Sequence, residues 1–243
     1  MIYEISAAGG NITIIETDPS CEDLAARGKE LLALSKAAEQ AGFIKGASFT
    51  MAGGEFCGNG SRAAAMILTG FESGKAEYNV SGFLNKVYAE VEKFSDVRFN
   101  VSACFKGMCY SIAVKPACAI VRLDGITHVV LEGPAPADAR SLFPSIIAGY
   151  GLDDEAAVGL IYQEEETITP LVYVKEINTV YEETACGSGS IAAYLVSGVG
   201  RVIQPTGQPI SVDKKEDTFI VSSEIEVLKR YEQFSGSPAF MGY

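Results

Sequence analysis

Residues 57–66 read CGNGSRAAAM and residues 186–195 read CGSGSIAAYL. Each is Cys-Gly-polar-Gly-Ser, one further residue, then Ala-Ala, and the copies sit in opposite halves of a 243-residue chain that has only 6 cysteines. Glycine lets the backbone turn tightly and approach a ligand closely. Where such a turn opens a helix, its unpaired N–H groups and the helix dipole form an anion site. A cysteine at that point is expected to have its thiolate stabilised and its pKa lowered, so these two thiols are expected to react first with an alkylating agent. One copy alone is more often a structural helix start. Two copies predict a duplicated chain in which a pseudo-dyad sets the turns face to face, with two thiols flanking one bound carboxylate.

The surrounding pattern predicts an α+β fold of two pseudo-symmetric lobes with the active site in the cleft between them. Runs at Asn11–Glu16, Val97–Val101, Cys118–Val121, His128–Leu131, Leu160–Tyr162 and Leu171–Val174 are β-branched or alternating and read as strands. Glu22–Ala41 is Ala/Leu-rich at helical spacing and predicts a packing helix, and Ser61–Leu68 and Ser190–Val196 predict helices led by the two turns. Residues 1–117 are expected to form the N-terminal lobe and 118–231 the C-terminal lobe, with 115–133 as the passage between them. The tail 232–243 is a candidate to return to the first lobe as a strand.

A net charge of −12 repels polyphosphates and anionic headgroups, so nucleic acid and membrane surfaces are not expected as partners. The start MIYEISAAGG lacks the features of a signal peptide, and no apolar run reaches the roughly 18 residues of a membrane span; a cytoplasmic protein is the expectation. Thiols stay reduced there. Cys21, Cys104, Cys109 and Cys118 show no C-x-x-C spacing and read as small buried hydrophobes or bystanders. With a single histidine, His128, no metal site is expected.

Two opposed thiols around a carboxylate-bearing carbon suit stereoinversion. One thiolate removes the α-proton and the other thiol delivers a proton to the opposite face, since a pKa of about 8.5 leaves both protonation states within reach. Backbone N–H groups from two helix starts would stabilise the developing enediolate. Such a reaction calls for no cofactor.

MAGGEFCGNGSRAAA and ETACGSGSIAA resemble the two active-site motifs of the diaminopimelate epimerase family, racemases that work without pyridoxal phosphate. AAGGNITIIET resembles that family's N-terminal Gly-Asn segment, and DGITHVV its G-x-P-H segment. The resemblance implies two lobes, each a mixed sheet wrapped around a central helix. It implies Cys57 and Cys186 as the acid/base pair, Gly58, Asn59, Gly187 and Ser188 as the α-carboxylate cradle, and Asn11 as a substrate-orienting residue. His128 would stand behind a cysteine. Related proline racemases carry similar Cys-Gly turns, whereas the phenazine-biosynthesis isomerases share the fold without this pair.

The family's distal clamp is replaced. Thr50, Ile126 and Ala157 stand where its asparagines are, Ile177 and Asn178 stand at its Glu-Arg pair, and no arginine lies between Arg140 and Arg201. An unpaired distal carboxylate would be costly to bury, so a monoamino acid is expected in place of diaminopimelate. GGEFCGNG and the compact length are similar to the histidine racemase branch that feeds metallophore synthesis. The partner is thus a small-molecule amino acid, and a homodimer is compatible with the reading.

Plainer readings stand beside these. His128 could be an ordinary core histidine. Glu182 and Glu183 suit the start of a helix, with Glu182 the candidate to polarise Cys186. QEEET at 163–167 reads as a solvated turn. The alternatives are a diaminopimelate epimerase proper, a non-catalytic binding protein on the same fold, and a double-bond isomerase. A binding protein would need the glycines but not the thiols.

Overall fold

Strands that alternate buried and exposed side chains build part of the sheet, and strands buried almost throughout build much of the rest. The computed structural model describes residues 1–176 and 178–231. In chain order the first half runs β1 (Ile2–Ala7), β2 (Gly10–Thr17), α1 (Leu24–Leu34), β3 (Ala38–Lys45), β4 (Ser48–Met51), α2 (Gly58–Leu68), β5 (Gly74–Val80), β6 (Val87–Lys93), β7 (Arg98–Lys106) and β8 (Tyr110–Lys115). There follow β9 (Cys118–Leu123), β10 (Ile126–Glu132), α3 (Ala139–Gly149), β11 (Ala157–Glu164), β12 (Thr167–Val174), β13 (Thr179–Glu182), α4 (Gly187–Ser197), β14 (Arg201–Ile203), β15 (Pro209–Lys215) and β16 (Thr218–Tyr231). The fold is α+β with the sheet predominant. The tail 232–243 and Ile177 lie outside the described residues.

Pairing follows the order β1 to β7, then β16, β15, β14, β12, β11, β10, β9 and β8, with β13 beside β12. β16 is the strand that joins the two groups. Its first residues pair with β15 and β7, and from Ile225 onward it pairs with β1, so β1 to β7 and β16 close into an eight-stranded ring. Helix α2 packs against β1, β2, β4 to β7 and β16, and every residue from Gly58 to Met66 is buried. Helix α4 packs against β9 to β12 and β14 to β16. Pairing crosses the expected division of the chain twice: β8 joins β9, and β16 joins β1 and β7.

β6 and β7 alternate strictly, with Val87, Ala89, Val91, Phe99, Val101, Ala103 and Phe105 facing the core. β11 is instead buried from Ala157 to Gln163. Its parallel pairing with β10 leaves both faces covered, by α4 on one side and by α3 through Phe143 and Ile147 on the other, which is why it reads as an almost unbroken apolar run.

The predicted helix over Glu22–Ala41 is shorter than expected. Asp23 caps α1 by accepting from the Ala26 N–H at 2.9 Å, and α1 stops at Leu34. From Ala38 the chain pairs in parallel with β2 and buries Ala41 and Phe43. Tertiary pairing here outweighs the helix preference of the Ala- and Glu-containing segment.

Candidate active site

The two Cys-Gly turns fold alike. Cys57 and Cys186 are the N-caps of α2 and α4, with backbone angles of −130°/110° and −138°/110°. Each sulfur accepts a backbone N–H at 3.2 Å, from Gly60 and Gly189. Ser61 and Ser190 donate back to the carbonyls of Cys57 and Cys186 at 2.7 Å. The turns meet at Gly58 and Gly187. A Cβ on Gly58 would fall 3.2 Å from the Gly187 carbonyl carbon, and one on Gly187 would fall 3.0 Å from Asn59 Oδ1. Asn59 Nδ2 donates across the junction to the Ala185 carbonyl at 2.8 Å.

Between the helix starts lies a cavity of about 30 Å³, lined by Cys57, Gly58, Asn59, Cys186, Gly187 and Ser188. That volume holds a water or two but no amino acid, so a substrate requires the walls to part. The remaining lining divides by character. Glu39, Gln40, Glu55 and Glu183 are polar, while Phe56, Ile126, Val172, Val174 and Tyr181 form an apolar side; none is Lys or Arg. A larger open hollow of about 550 Å³ by Lys115, Leu131 and Gln163 contains neither thiol.

The expected lowering of the thiol pKa values is reversed. Burial pushes the Cys57 thiol up to about 12, and the nearby Glu183 carboxylate raises it further, against the Gly60 N–H. Cys186 is held well above the usual thiol range by burial and by Glu183. The helix-start N–H groups are present, but removal from water outweighs them. Both thiols are therefore protonated in this closed state. Cys186 is 2% exposed, whereas Cys21 and Cys109 lie in the open.

Glu183, and not Glu182, meets Cys186. Glu182 is exposed at the end of β13, while Glu183 lines the cavity and burial lifts its carboxyl to about 8. Asn11 sits behind the cavity wall. Its side chain accepts from Gln40 Nε2 at 2.6 Å and donates to Glu39 at 3.2 Å, and its backbone N–H donates to Thr184. Gln40 in turn accepts from the Cys57 thiol at 3.3 Å. His128 is fully buried on β10, in space left by Gly159, and neither ring nitrogen has a hydrogen-bond partner. Burial drives its pKa down to about 3, and no hydrogen bond joins it to a cysteine. Of the described positions expected to replace the distal clamp, only Ile126 lines the cavity, Ile177 lying outside the described residues. Thr50 faces another groove, Ala157 is buried in β11, and Asn178 is exposed beside Tyr173.

Several site residues escaped the sequence reading. Glu39 and Gln40 were hidden in the overlong helix, though Glu55 and Phe56 stand directly before Cys57 in the quoted motif. Arg62 lies within the motif too. It is fully buried, donates from Nη2 to Asn59 Oδ1 at 2.6 Å, and leaves Nε and Nη1 without partners. Burial lowers its pKa to about 10, opposed by the attraction of Cys57, Tyr78 and Cys186, so the guanidinium remains a cation near both thiols.

The family model described as the histidine racemase CntK N-terminal domain matches residues 7–225. The chain belongs to this family. It is an isomerase of the amino-acid racemase or epimerase class. A histidine racemase of Fusobacterium nucleatum strain ATCC 25586 is 26% identical over 220 residues, covering 82% of each chain. That of strain ATCC 23726 is 26% identical over 204 residues, covering 75% of this chain and 77% of its own. Among solved structures, a "predicted epimerase" from Pseudomonas aeruginosa superposes with a TM-score of 0.67 at 15% identity, covering 97% of this chain and 99% of its own. A PhzF-family phenazine biosynthesis protein from Enterococcus faecalis gives 0.56 at 14% identity, over 94% and 96%. The fold is thus of the epimerase and PhzF kind, while the family shown is the histidine racemase one.

Proposed function

We propose that the protein inverts a free monoamino acid at Cα, histidine first, by a two-base reaction of Cys57 and Cys186 that uses neither pyridoxal phosphate nor metal. The observation that carries this reading is the pair of cysteine-capped helix starts meeting at Gly58 and Gly187 over one shared cavity. In this reading the chain is two pseudo-symmetric lobes built around α2 and α4, with β16 shared between them, and it works in the cytoplasm on a small molecule. Gly58, Asn59, Gly187 and Ser188 cradle the α-carboxylate, and Asn11 acts through Gln40 and Glu39.

The proton inventory follows from the charges. Cys186 passes its proton to Glu183, and the resulting thiolate removes the α-proton from one face while the Cys57 thiol donates to the other. For the opposite enantiomer the two thiols exchange roles. Arg62 offsets the negative charge below the helix starts. Among the described residues no Lys or Arg lines the cavity, so a second carboxylate would find no cationic partner there, which argues against diaminopimelate. The histidine assignment draws on the named activity of the relatives.

The test is incubation in D₂O with each common L-amino acid and with LL-diaminopimelate, reading Cα deuteration by mass and inversion by chiral chromatography. Histidine is expected to exchange and invert in chelator-treated, dialysed protein. Exchange of diaminopimelate alone would overturn the substrate assignment, and exchange of nothing would move a binding protein ahead.

A further inference from the structure

Among the described residues three carboxyl groups line the cavity, and two already have occupation. Glu39 accepts from the Thr184 hydroxyl and N–H and from Asn11. Glu183 lies against the Cys186 thiol and near Asn11. Glu55 differs. It is 9% exposed, no side chain donates to its carboxyl, and its Oε2 is buried without a well-formed hydrogen bond, the backbone N–H groups of Gly53 and Glu55 only partly offsetting the burial. Such a group is destabilising unless something else is meant to fill it.

The protein holds Glu55 firmly by its backbone. Its carbonyl accepts from Ser81 Oγ at 2.8 Å. Gly82 and Gly125, at φ of 69° and 71°, press on the same segment: a Cβ on Gly82 would fall 2.3 Å from Phe56 N, and one on Gly125 3.0 Å from it. The carboxyl itself lies over Gly53, where a Cβ would meet Glu55 Oε2 at 2.7 Å and Val174 Cγ1 at 2.5 Å. Val174 and Ile126, the neighbour of Gly125, line the same cavity. Glu55 thus occupies the apolar end, while Gln40 and Glu183 stand with the thiols.

Building on the racemase reading, we infer that Glu55 is the specificity-determining residue, its carboxyl accepting an N–H of the substrate side chain within the apolar end of the cavity. The substrate class is then an α-amino acid carrying a short, planar N–H donor. An imidazole suits it in either protonation state. Burial holds the Glu55 carboxyl up at about 7, near the ordinary imidazole value of about 6.5, so one proton shared between them leaves a donor facing an acceptor whichever group holds it.

The experiment compares α-proton exchange in D₂O for L-histidine and for 3-(2-thienyl)-L-alanine, a five-membered-ring analogue with no N–H donor. Wild-type, Glu55→Gln and Glu55→Leu proteins are tested alongside thermal unfolding. The wild type is expected to favour histidine by about 10²-fold or more, because a buried acceptor rejects an analogue that leaves it unpaired. Glu55→Leu should bring the two substrates within about tenfold, chiefly through loss of histidine turnover, with Glu55→Gln between. Glu55→Gln has the same shape and removes a buried carboxylate, so it should fold at least as stably and keeps the test decisive if Glu55→Leu does not fold. A wild-type ratio near one, or a wild-type ratio retained by Glu55→Gln, overturns the inference while histidine turnover upholds the racemase reading. If the wild type exchanges neither compound, the racemase reading falls and this inference falls with it.

Discussion

The start of α2 and the start of α4 share one backbone and differ in almost everything around it. Cap angles, the N–H bond to sulfur and the serine bond to the cysteine carbonyl coincide. The neighbours do not. Cys57 is half-buried and donates to Gln40, while Cys186 is buried beside Ser188 and Glu183. Five residues past the cysteine, α2 carries the buried Arg62 where α4 carries Ile191. Gln204 supports only the second turn, accepting from the Cys186 N–H at 2.8 Å and donating to Ser190. Duplication supplies the geometry of two opposed groups, and divergence supplies one carboxylate on the α4 side and one cation on the α2 side. A strictly symmetric pair of thiols would have neither a route for the first proton nor a charge to offset it.

If both thiols move protons, the comparison breaks most strongly when either is removed. Cys57→Ser and Cys186→Ser should each lower racemisation by about 10²–10⁴-fold, the range for loss of a general acid or base, because a hydroxyl is far harder to ionise than a thiol. Chiral chromatography of the product measures this. Each variant should still eliminate a leaving group from a β-halogenated amino acid, which needs one base only. Near-normal racemisation by one variant would show that its cysteine is structural and that the pairing is only geometric.

The pH dependence tests the difference contributed by Glu183. In the free enzyme Glu183 and Cys186 together hold two protons at low pH, and one must leave before a base exists. Burial places that loss near the Glu183 value of about 8, and it belongs to the pair as a whole. A raised carboxyl pKa means the protonated form persists through neutrality, so kcat/KM should rise with pH, by about tenfold per unit below 8, and then level. Glu183→Gln should move this rise to higher pH and lower the rate at pH 7.5 by about tenfold or more. A profile flat from pH 6 to 8, or unmoved by the substitution, would remove Glu183 from the proton route.

Much of this asymmetry was invisible in the chain itself, for identifiable reasons. Local chemistry was legible: the six strand runs fall on strands to within one residue at Val97, and both Cys-Gly turns open helices. What failed depended on distant partners. Ala38–Ala41 has a helix-forming composition and joins β3 only because the strand pairs with β2 and β4, and with it went Glu39 and Gln40. Proximity to a helix start does not separate Glu182 from Glu183; only the folded chain, which leaves Glu182 exposed at the end of β13 and sets Glu183 against Cys186, does so. The thiol pKa values followed the helix-start rule in sign until burial, which no local pattern encodes, reversed them.

The smallest expected effect lies between the thiols themselves and concerns reagent access. Helix-start activation alone predicts that iodoacetamide finds Cys57 and Cys186 first. The structure predicts the opposite order, because alkylation needs both a thiolate and a path for the reagent, and burial denies both. Cys21 and Cys109 are exposed and should label first; Cys57, half-buried and lining the cavity, should follow, and Cys186, at 2% exposure, should lag it by a few-fold. Peptide mapping after substoichiometric reagent gives the order. A substrate analogue that fills the cavity should slow Cys57 and Cys186 and leave Cys21 and Cys109 unchanged. Labelling of Cys186 ahead of Cys57 would show that in solution the α4 side opens first, and that the closed cavity of about 30 Å³ is not the state the reagent meets.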